Sequence, residues 1–136
     1  MNSIDKAFAF QEKALEVRSF RQQLIASNIA NADTPHYSAV DIDFADAMKK
    51  ALSNVKKGIE MKVTSERHLQ GKTKDTLYGI EPMYRNVSQP SIDGNTVDTN
   101  IEQAQFTENS LKYMSTLTFI NGTIQGDNVA LRGGNN

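Results

Sequence analysis

Residues 24 to 37 read Leu24-Ile-Ala-Ser-Asn28-Ile-Ala-Asn31-Ala-Asp33-Thr-Pro35-His-Tyr37, and they mark where a long first helix has to end. Pro35 disfavours helical backbone at Thr34, so the helix stops within residues 31 to 33. Upstream, residues 4 to 32 contain neither proline nor glycine, and Ser3 is placed to cap the first turn. We therefore predict one helix of about 40 Å over this part of the chain.

This first helix carries a broad apolar face. Two neighbouring stripes run along it at steps of three and four residues, the spacing with which helices wrap around one another. One stripe comprises Ala7, Phe10, Ala14, Val17 and Leu24, and the other comprises Ile4, Phe8, Leu15, Ile25 and Ile29. At the helix end, the amides of Asn28 and Asn31 are placed to bond free backbone carbonyls, so we expect them to act as structural locks for the following turn.

A second long helix is predicted near the other end of the chain. Thr99 followed by Glu102 forms a capping box, which indicates that the helix begins there. Apolar residues then recur at helical spacing, namely Phe106, Tyr113, Leu117, Ile120 and Ile124, flanked by Leu111 and Met114. This face is the predicted partner of the first helix. Gly122 and Gly126 either permit a close helix contact or weaken or end the helix, and the sequence leaves both interpretations open.

The residues between the long helices follow a less regular pattern. Residues 43 to 55 predict a short helix with one apolar side and Asp43 as its cap, whereas residues 61 to 65 and 77 to 84 predict strands. More than half of the charged residues of each sign lie between residues 33 and 96, which predicts a solvated middle and buried ends. The predicted fold is mainly α: residues 1–34 and 97–136 pair as a coiled-coil-like unit around a small, irregular and partly β region at 35–96.

Composition excludes several classes of function. The chain has 136 residues, of which 38% are apolar, so it buries a modest core and its stability is expected to be completed by neighbours. A net charge of −1 provides no field for nucleic acid or an anionic membrane. There is no cysteine, and neither a secretory signal nor a membrane-spanning segment is apparent in the sequence.

Neither a cofactor nor a metal is predicted. His36 and His68 each lack a second ligand at helical spacing. Asp41, Asp43 and Asp46 lie close together, but the glycine and the terminal glutamate of a calcium loop are missing, so helix capping is the better account of them. No arrangement of serine, histidine and aspartate indicates catalysis, and we predict no enzyme and no small-molecule substrate.

The quoted stretch resembles the signature S-N-I-A-N-x-x-T-P-G-Y of the rod, hook and hook-associated proteins of the bacterial flagellum. Asp93-Gly-Asn95-Thr-Val97-Asp98 and Asn109-Ser-Leu111-Lys-Tyr113 are similar to the other end of that family. His36 departs from the pattern, because the family usually has glycine there; a positive φ at this turn would strain a histidine. The short chain and Asp41-Ile-Asp-Phe44 look most like the proximal-rod members.

The resemblance implies a structural subunit that stacks helically, terminal helices inward, in the drive shaft crossing the periplasm. It implies export through the flagellar type III apparatus without a cleaved signal peptide. The implied partners are copies of the chain, other rod proteins, the rod-to-membrane-ring adaptor and the membrane ring at the rod base. The residues expected to carry assembly are Phe10, Val17, Leu24, Asn28, Ile29, Asn31, Pro35, Tyr37, Phe106, Leu111, Tyr113, Leu117 and Ile120. A soluble helical adaptor or export chaperone, which would bind one partner helix in a groove, is the alternative.

Overall fold

The computed structural model describes residues 3–56, 77–86 and 91–133. The elements, in chain order, are α1 (Ser3–Ala30), β1 (Val40–Asp41), α2 (Phe44–Lys56), a 3-10 turn (Leu77–Gly79), β2 (Met83–Tyr84) and α3 (Thr99–Leu131). The predicted strand at 61 to 65 and His68 lie outside the described residues. A mainly α fold, with long terminal helices and a small partly β middle, is therefore confirmed.

The first helix ends where the proline predicts. α1 runs to Ala30, and the amide of Asn31 still donates to the carbonyl of Ser27 at 3.1 Å. Its beginning differs slightly from the prediction, because Ser3 is the first helical residue rather than the cap that precedes the helix.

Of the caps predicted for the two other helices, one is confirmed and one is wrong. Asp43 caps α2 as predicted, since its carboxylate accepts from the amide of Asp46 at 2.8 Å. The cap of α3 is Asp98 instead of Thr99: its carboxylate accepts from the amides of Asn100 and Ile101 at 2.9 and 3.3 Å. The capping-box prediction is one residue out because the carboxylate of Asp98 reaches two free amides at once.

The two strands form a short antiparallel ribbon. Val40 pairs with Tyr84, and Asp41 pairs with Met83. Only the last two residues of the predicted strand at 77 to 84 are extended, because the chain reverses at Tyr78 and Gly79, whose φ angles are 54° and 69°. The hydroxyl of Tyr78 accepts from Lys13 Nζ at 2.6 Å and so ties this turn to α1.

The apolar core lies between α1 and the middle of the chain. Its buried residues come from α1, the β1–α2 segment and the end of the 3-10 turn, namely Ala14, Val17, Ile42, Ala47, Met48, Ala51 and Ile80. The prediction that the middle is solvated surface is wrong for the five core residues that it contributes, Ile42, Ala47, Met48, Ala51 and Ile80. α2 holds its charged residues on the side opposite its buried ones, and a regional count of charges does not distinguish the two sides of a helix.

The two long helices run antiparallel. Going from the end of α1 toward its start, Asn28 contacts Glu102, Arg21 contacts Gln105, and the carbonyl of Arg18 accepts from Asn109. α3 continues through Gly122 and Gly126, so the interpretation that these glycines end the helix is wrong. Within the described residues, no helix combines the length and apolar character needed to cross a membrane.

Candidate assembly surface

Asn28 links α1, β1 and α3. It is fully buried, and its amide nitrogen donates to the carbonyl of Val40 at 2.8 Å and to Glu102 at 3.1 Å. Its amide oxygen accepts from the amide of Val40 at 3.0 Å and from the hydroxyl of Tyr37 at 3.2 Å. All four hydrogen-bonding positions of this side chain are occupied, so any substitution leaves buried groups unpaired.

Two further asparagines close the end of α1. Asn31 donates from its side chain to the carbonyl of Ser27 at 2.8 Å and accepts from the hydroxyl of Thr34 at 3.1 Å. From the other end of the chain, the buried amide of Asn95 lies within 2.8–2.9 Å of the carbonyls of Asn31, Ala32 and Thr34. These carbonyls belong to the turn that follows α1, and the carbonyl of Asn31 also accepts from the amide of Thr34 at 3.0 Å.

Backbone bonds hold the two motif segments together. The amide of His36 donates to the carbonyl of Asp93, and the amide of Thr96 donates to the carbonyl of Tyr37, both at 3.0 Å. The segments approach closely, since a Cβ added to Gly94 would lie 2.8 Å from His36 Nδ1. We call residues 31–39 and 93–97 together the clasp.

His36 has a φ of 60°. The turn at this position thus has the positive φ that favours glycine.

A partly buried network of charges lies next to the clasp. Arg21 binds Asp41 through two hydrogen bonds of 2.9 and 2.8 Å, and Arg85 binds Asp41 at 2.8 Å. Arg85 also forms an ion pair with Glu102, whose side chain is only 1% exposed. α1, the ribbon and the first turn of α3 are therefore joined by bonds between charged groups, which are among the stronger hydrogen bonds.

The pKa of Asp41 reflects this network. Burial pushes the pKa of this carboxyl upward, but the hydrogen bonds from Arg21, from the amide of Ile42 and from Arg85 outweigh burial and hold it below its ordinary value. The pKa of Arg21 is correspondingly raised, chiefly by its bonds to Asp41. Asp41 is thus held ionised as an ion-pair residue, which corrects its assignment to helix capping.

The contact between α1 and α3 is mostly polar near its centre. Asn109 donates to the carbonyl of Arg18 at 2.9 Å and to the side chain of Gln22 at 2.6 Å, and Gln22 donates to Ser110 at 2.7 Å. The two buried residues of α3 are Glu102 and Asn109. Since both are polar, hydrogen bonds contribute directly to the attachment of α3 to α1.

From Leu111 onward, α3 exposes apolar residues on more than one side. The large side chains concerned are Leu111, Met114, Phe119, Ile124, Val129 and Leu131. No charged residue occurs between Lys112 and Asp127. Thr116, Thr118 and Thr123 donate to the carbonyls four residues earlier, so their hydroxyl protons are satisfied within the helix. The segment of α3 between Lys112 and Asp127 is thus an uncharged and partly apolar surface.

Residues 8–37, which contain most of α1 and part of the clasp, match the family described as flagella basal body rod protein. The chain is 41% identical over 138 residues to the flagellar basal body rod protein FlgB of Salmonella typhimurium, with 99% of both chains covered. It is 42% identical over 140 residues to FlgB of Escherichia coli strain K12, again over 99% of both. It is 43% identical over 132 residues to FlgB of Aeromonas hydrophila, with 96% of both chains covered.

The chain belongs to the FlgB family of flagellar basal body rod proteins. It is accordingly a structural subunit of the rod.

The structure distributes the predicted assembly residues of this rod protein over three places. Asn28, Asn31 and Tyr37 meet in and beside the clasp, while Val17 is fully buried in the core and has no surface left for another subunit. Leu24 packs against that core, and Ile29 is half-buried. The residues with accessible surface are Phe10, Pro35, Phe106, Leu111, Tyr113, Leu117 and Ile120, of which Tyr113, Leu117 and Ile120 are half-buried.

In this rod protein, the charged members of the network and two asparagines were not predicted from the sequence as assembly residues. Asn95 and Asn109 stand inside the motifs that carry the resemblance, which was the available signal for both. Arg21, Arg85 and Glu102 had no such signal, because they lie far apart in the chain and meet only after folding. Among the described residues, no three acidic, histidine or cysteine side chains converge on a position that could hold a metal.

Proposed function

We propose that this rod protein is a subunit of the proximal rod, which packs helically with copies of itself and transmits torque from motor to hook. Residues 1–34 and 97–136, the paired terminal helices, form the inner core of the rod, and residues 35–96 are the middle region between them. Its further partners are other rod proteins, the rod-to-membrane-ring adaptor and the membrane ring at the rod base. The subunit reaches the periplasm through the flagellar type III apparatus without a cleaved signal peptide.

One observation carries this proposal: from Leu111 onward, α3 leaves large apolar side chains in solvent. Leu111, Phe119 and Leu131 are 67%, 66% and 85% exposed, although α3 belongs to a chain with a folded core. Covering a few hundred Å² of such surface would contribute several kcal/mol at roughly 25 cal/mol per Å², before the ordering costs of association. Repeated along a helical stack, contacts of this size give a stiff assembly.

No catalytic arrangement enters the proposal, and the subunit is assigned no enzymatic activity. The polar fastening of α3 also suits export of an unfolded chain, because polar contacts add little apolar burial to the barrier against unfolding. The location proposed is the flagellar basal body, in the part of the rod that spans the periplasm.

The test is quantitative mass spectrometry of detergent-extracted basal bodies from the native cell. We expect the chain in a fixed ratio to the other rod proteins, in independent preparations and after a high-salt wash. A strain that lacks the export apparatus provides the control and should yield none in the envelope fraction. Recovery in the soluble fraction alone would overturn the proposal and support an adaptor.

A further inference from the structure

A groove of about 350 Å³ lies where α1, the start of α2 and the middle of α3 meet. Three phenylalanines from the three helices, Phe10, Phe44 and Phe119, line it together with Gln11 and Arg18. Each of the three helices therefore contributes an aromatic side chain, and the charged group of the lining is Arg18 on α1. It is separate from the clasp and from the charged network.

Arg18 is an uncompensated charge at this groove. Its guanidinium stacks over the ring of Phe44 at 4.3 Å, and its buried Nε has no hydrogen-bond partner among the residues that the structure describes. No carboxylate in residues 3–56, 77–86 and 91–133 lies within ion-pair distance of it. Burial lowers the pKa of Arg18, and the charge of Arg21 lowers it further. A buried donor on a cation is costly to leave unpaired, so this position suits an incoming carboxylate.

The end of α3 offers a carboxylate of matching character. Asp127 is the one charged residue between Lys112 and Arg132. In the part of the chain that the structure describes, it forms no ion pair. Ile124 and Leu131 lie three residues before and four residues after it, on the same face of the helix, and are 42% and 85% exposed. An acid flanked by two large apolar side chains is what a phenylalanine groove with an arginine would accept.

The side chains of Arg18 and Asp127 cannot meet within one chain. α3 passes Arg18 at Asn109, which donates to the carbonyl of Arg18. At about 1.5 Å per residue, Asp127 lies about 27 Å farther along the helix. A contact between Arg18 and Asp127 therefore requires two molecules.

We propose that the groove beside Arg18 receives the end of α3 from a second copy of the chain, with Asp127 accepting hydrogen bonds from Arg18 and an apolar neighbour of Asp127 seated among the phenylalanines. The inference rests on the proposed assembly function and names one contact within it. Because the two surfaces differ, the contact is head-to-tail, and a head-to-tail contact that does not close extends into an open array.

Cross-linking tests the contact directly, because the chain contains no cysteine. Cells would express Arg18→Cys and Asp127→Cys subunits together, and isolated basal bodies would be treated with a short bis-maleimide, since an arginine–carboxylate pair holds its Cα atoms farther apart than a disulfide allows. We expect a covalent dimer that is at least fivefold more abundant than with Glu12→Cys replacing Arg18→Cys. Glu12 is exposed on α1 and does not line the groove.

The outcomes separate the two proposals. A dimer no more abundant than the Glu12 control, from basal bodies that contain both variants, overturns this inference and leaves the rod assignment intact. Basal bodies that lack the unmodified chain as well would overturn the rod assignment and this inference with it.

Charge exchange provides a second test that does not depend on reagent geometry. Arg18→Glu and Asp127→Arg should each reduce the amount of subunit in basal bodies at least tenfold, and the double variant should return to within twofold of wild type. Helix content by circular dichroism shows whether each variant folds. Wild-type incorporation of Asp127→Arg, or a folded double variant no better than either single one, would overturn the inference.

Discussion

The side-chain amide of Asn28, near the end of α1, donates to the carboxylate of Glu102, in the first turn of α3, over 3.1 Å in the protein interior. Through this bond and the ion pair of Glu102 with Arg85, the two terminal helices and the ribbon share one buried junction. The family signature around Asn28 thus contributes a junction rather than an exposed binding motif.

Replacing Asn28 should therefore destabilise the folded chain strongly. Asn28→Ala removes the partners of both backbone groups of Val40 and one partner of Glu102, and it should lower the free energy of unfolding by about 2–3 kcal/mol. Urea unfolding of the purified chain measures the change. The neighbouring exposed change Ser27→Ala should stay within about 0.5 kcal/mol of wild type, and equal effects of the two would contradict the junction.

Asn95 should be intolerant of an almost isosteric change. Asn95→Asp replaces a donor that faces three carbonyls with a carboxylate that repels them, and it should cost about 1–3 kcal/mol of stability. Asn100→Asp is the matched control, because a negative charge in the first turn of α3 is favourable. The changes in melting temperature of the two variants relative to wild type should differ in sign or at least clearly in size. Similar melting temperatures would show that the carbonyls do not depend on Asn95.

The depressed pKa of Asp41 predicts the acid response of the chain. A carboxyl whose pKa is lower in the folded state contributes stability above its unfolded pKa, near 3.9, and this stability is lost as the pH falls through the lower folded pKa. Asp41→Asn should therefore be less stable than wild type at neutral pH, and the difference should shrink as the pH falls below about 4. Unfolding midpoints measured from pH 7 down to pH 2.5 provide the test, and a difference that stays constant with pH would contradict it.

A substitution of Leu111 should affect assembly but not folding. It is 67% exposed, so Leu111→Asp should change the stability of the isolated chain by no more than about 0.5 kcal/mol. In the assembly the same change would bury an unpaired carboxylate, and swimming in soft agar should be lost. Asn121→Asp, at an exposed polar position of α3, is the control and should swim normally. A motile Leu111→Asp strain would show that this part of α3 stays uncovered in the rod.

Local chemistry made the helix boundaries predictable. The restriction that Pro35 places on Thr34 acts on adjacent residues, and so does the cap that Asp43 provides, so both can be recognised in the sequence. The cap of α3 was misplaced for a related reason: Asp98 and Thr99 are both good capping residues, and only the backbone shows which of them is extended.

Contacts between distant residues were not predictable in the same way. Periodicity shows that a helix has an apolar face, but it does not show which element covers that face. The core therefore formed against α2, while the apolar stripe of α3 remained partly exposed. Glu102 suited a capping box in the sequence, and only the folded positions of Arg85 and Asn28 explain why it turns inward.

The uneven attachment of α3 has a mechanical consequence. It is held by the network at Glu102 and by hydrogen bonds between α1 and the side chains of Asn109 and Ser110, whereas its far end at Leu131 is exposed. The helix axis from Ser110 to Leu131 is about 32 Å long, so a tilt of about 5° beyond Ser110 moves the tip by about 3 Å. A small angular change in the middle of α3 is thus amplified at its tip. We expect subunits built this way to adapt to slightly different radii or pitches without altering the fold around Glu102.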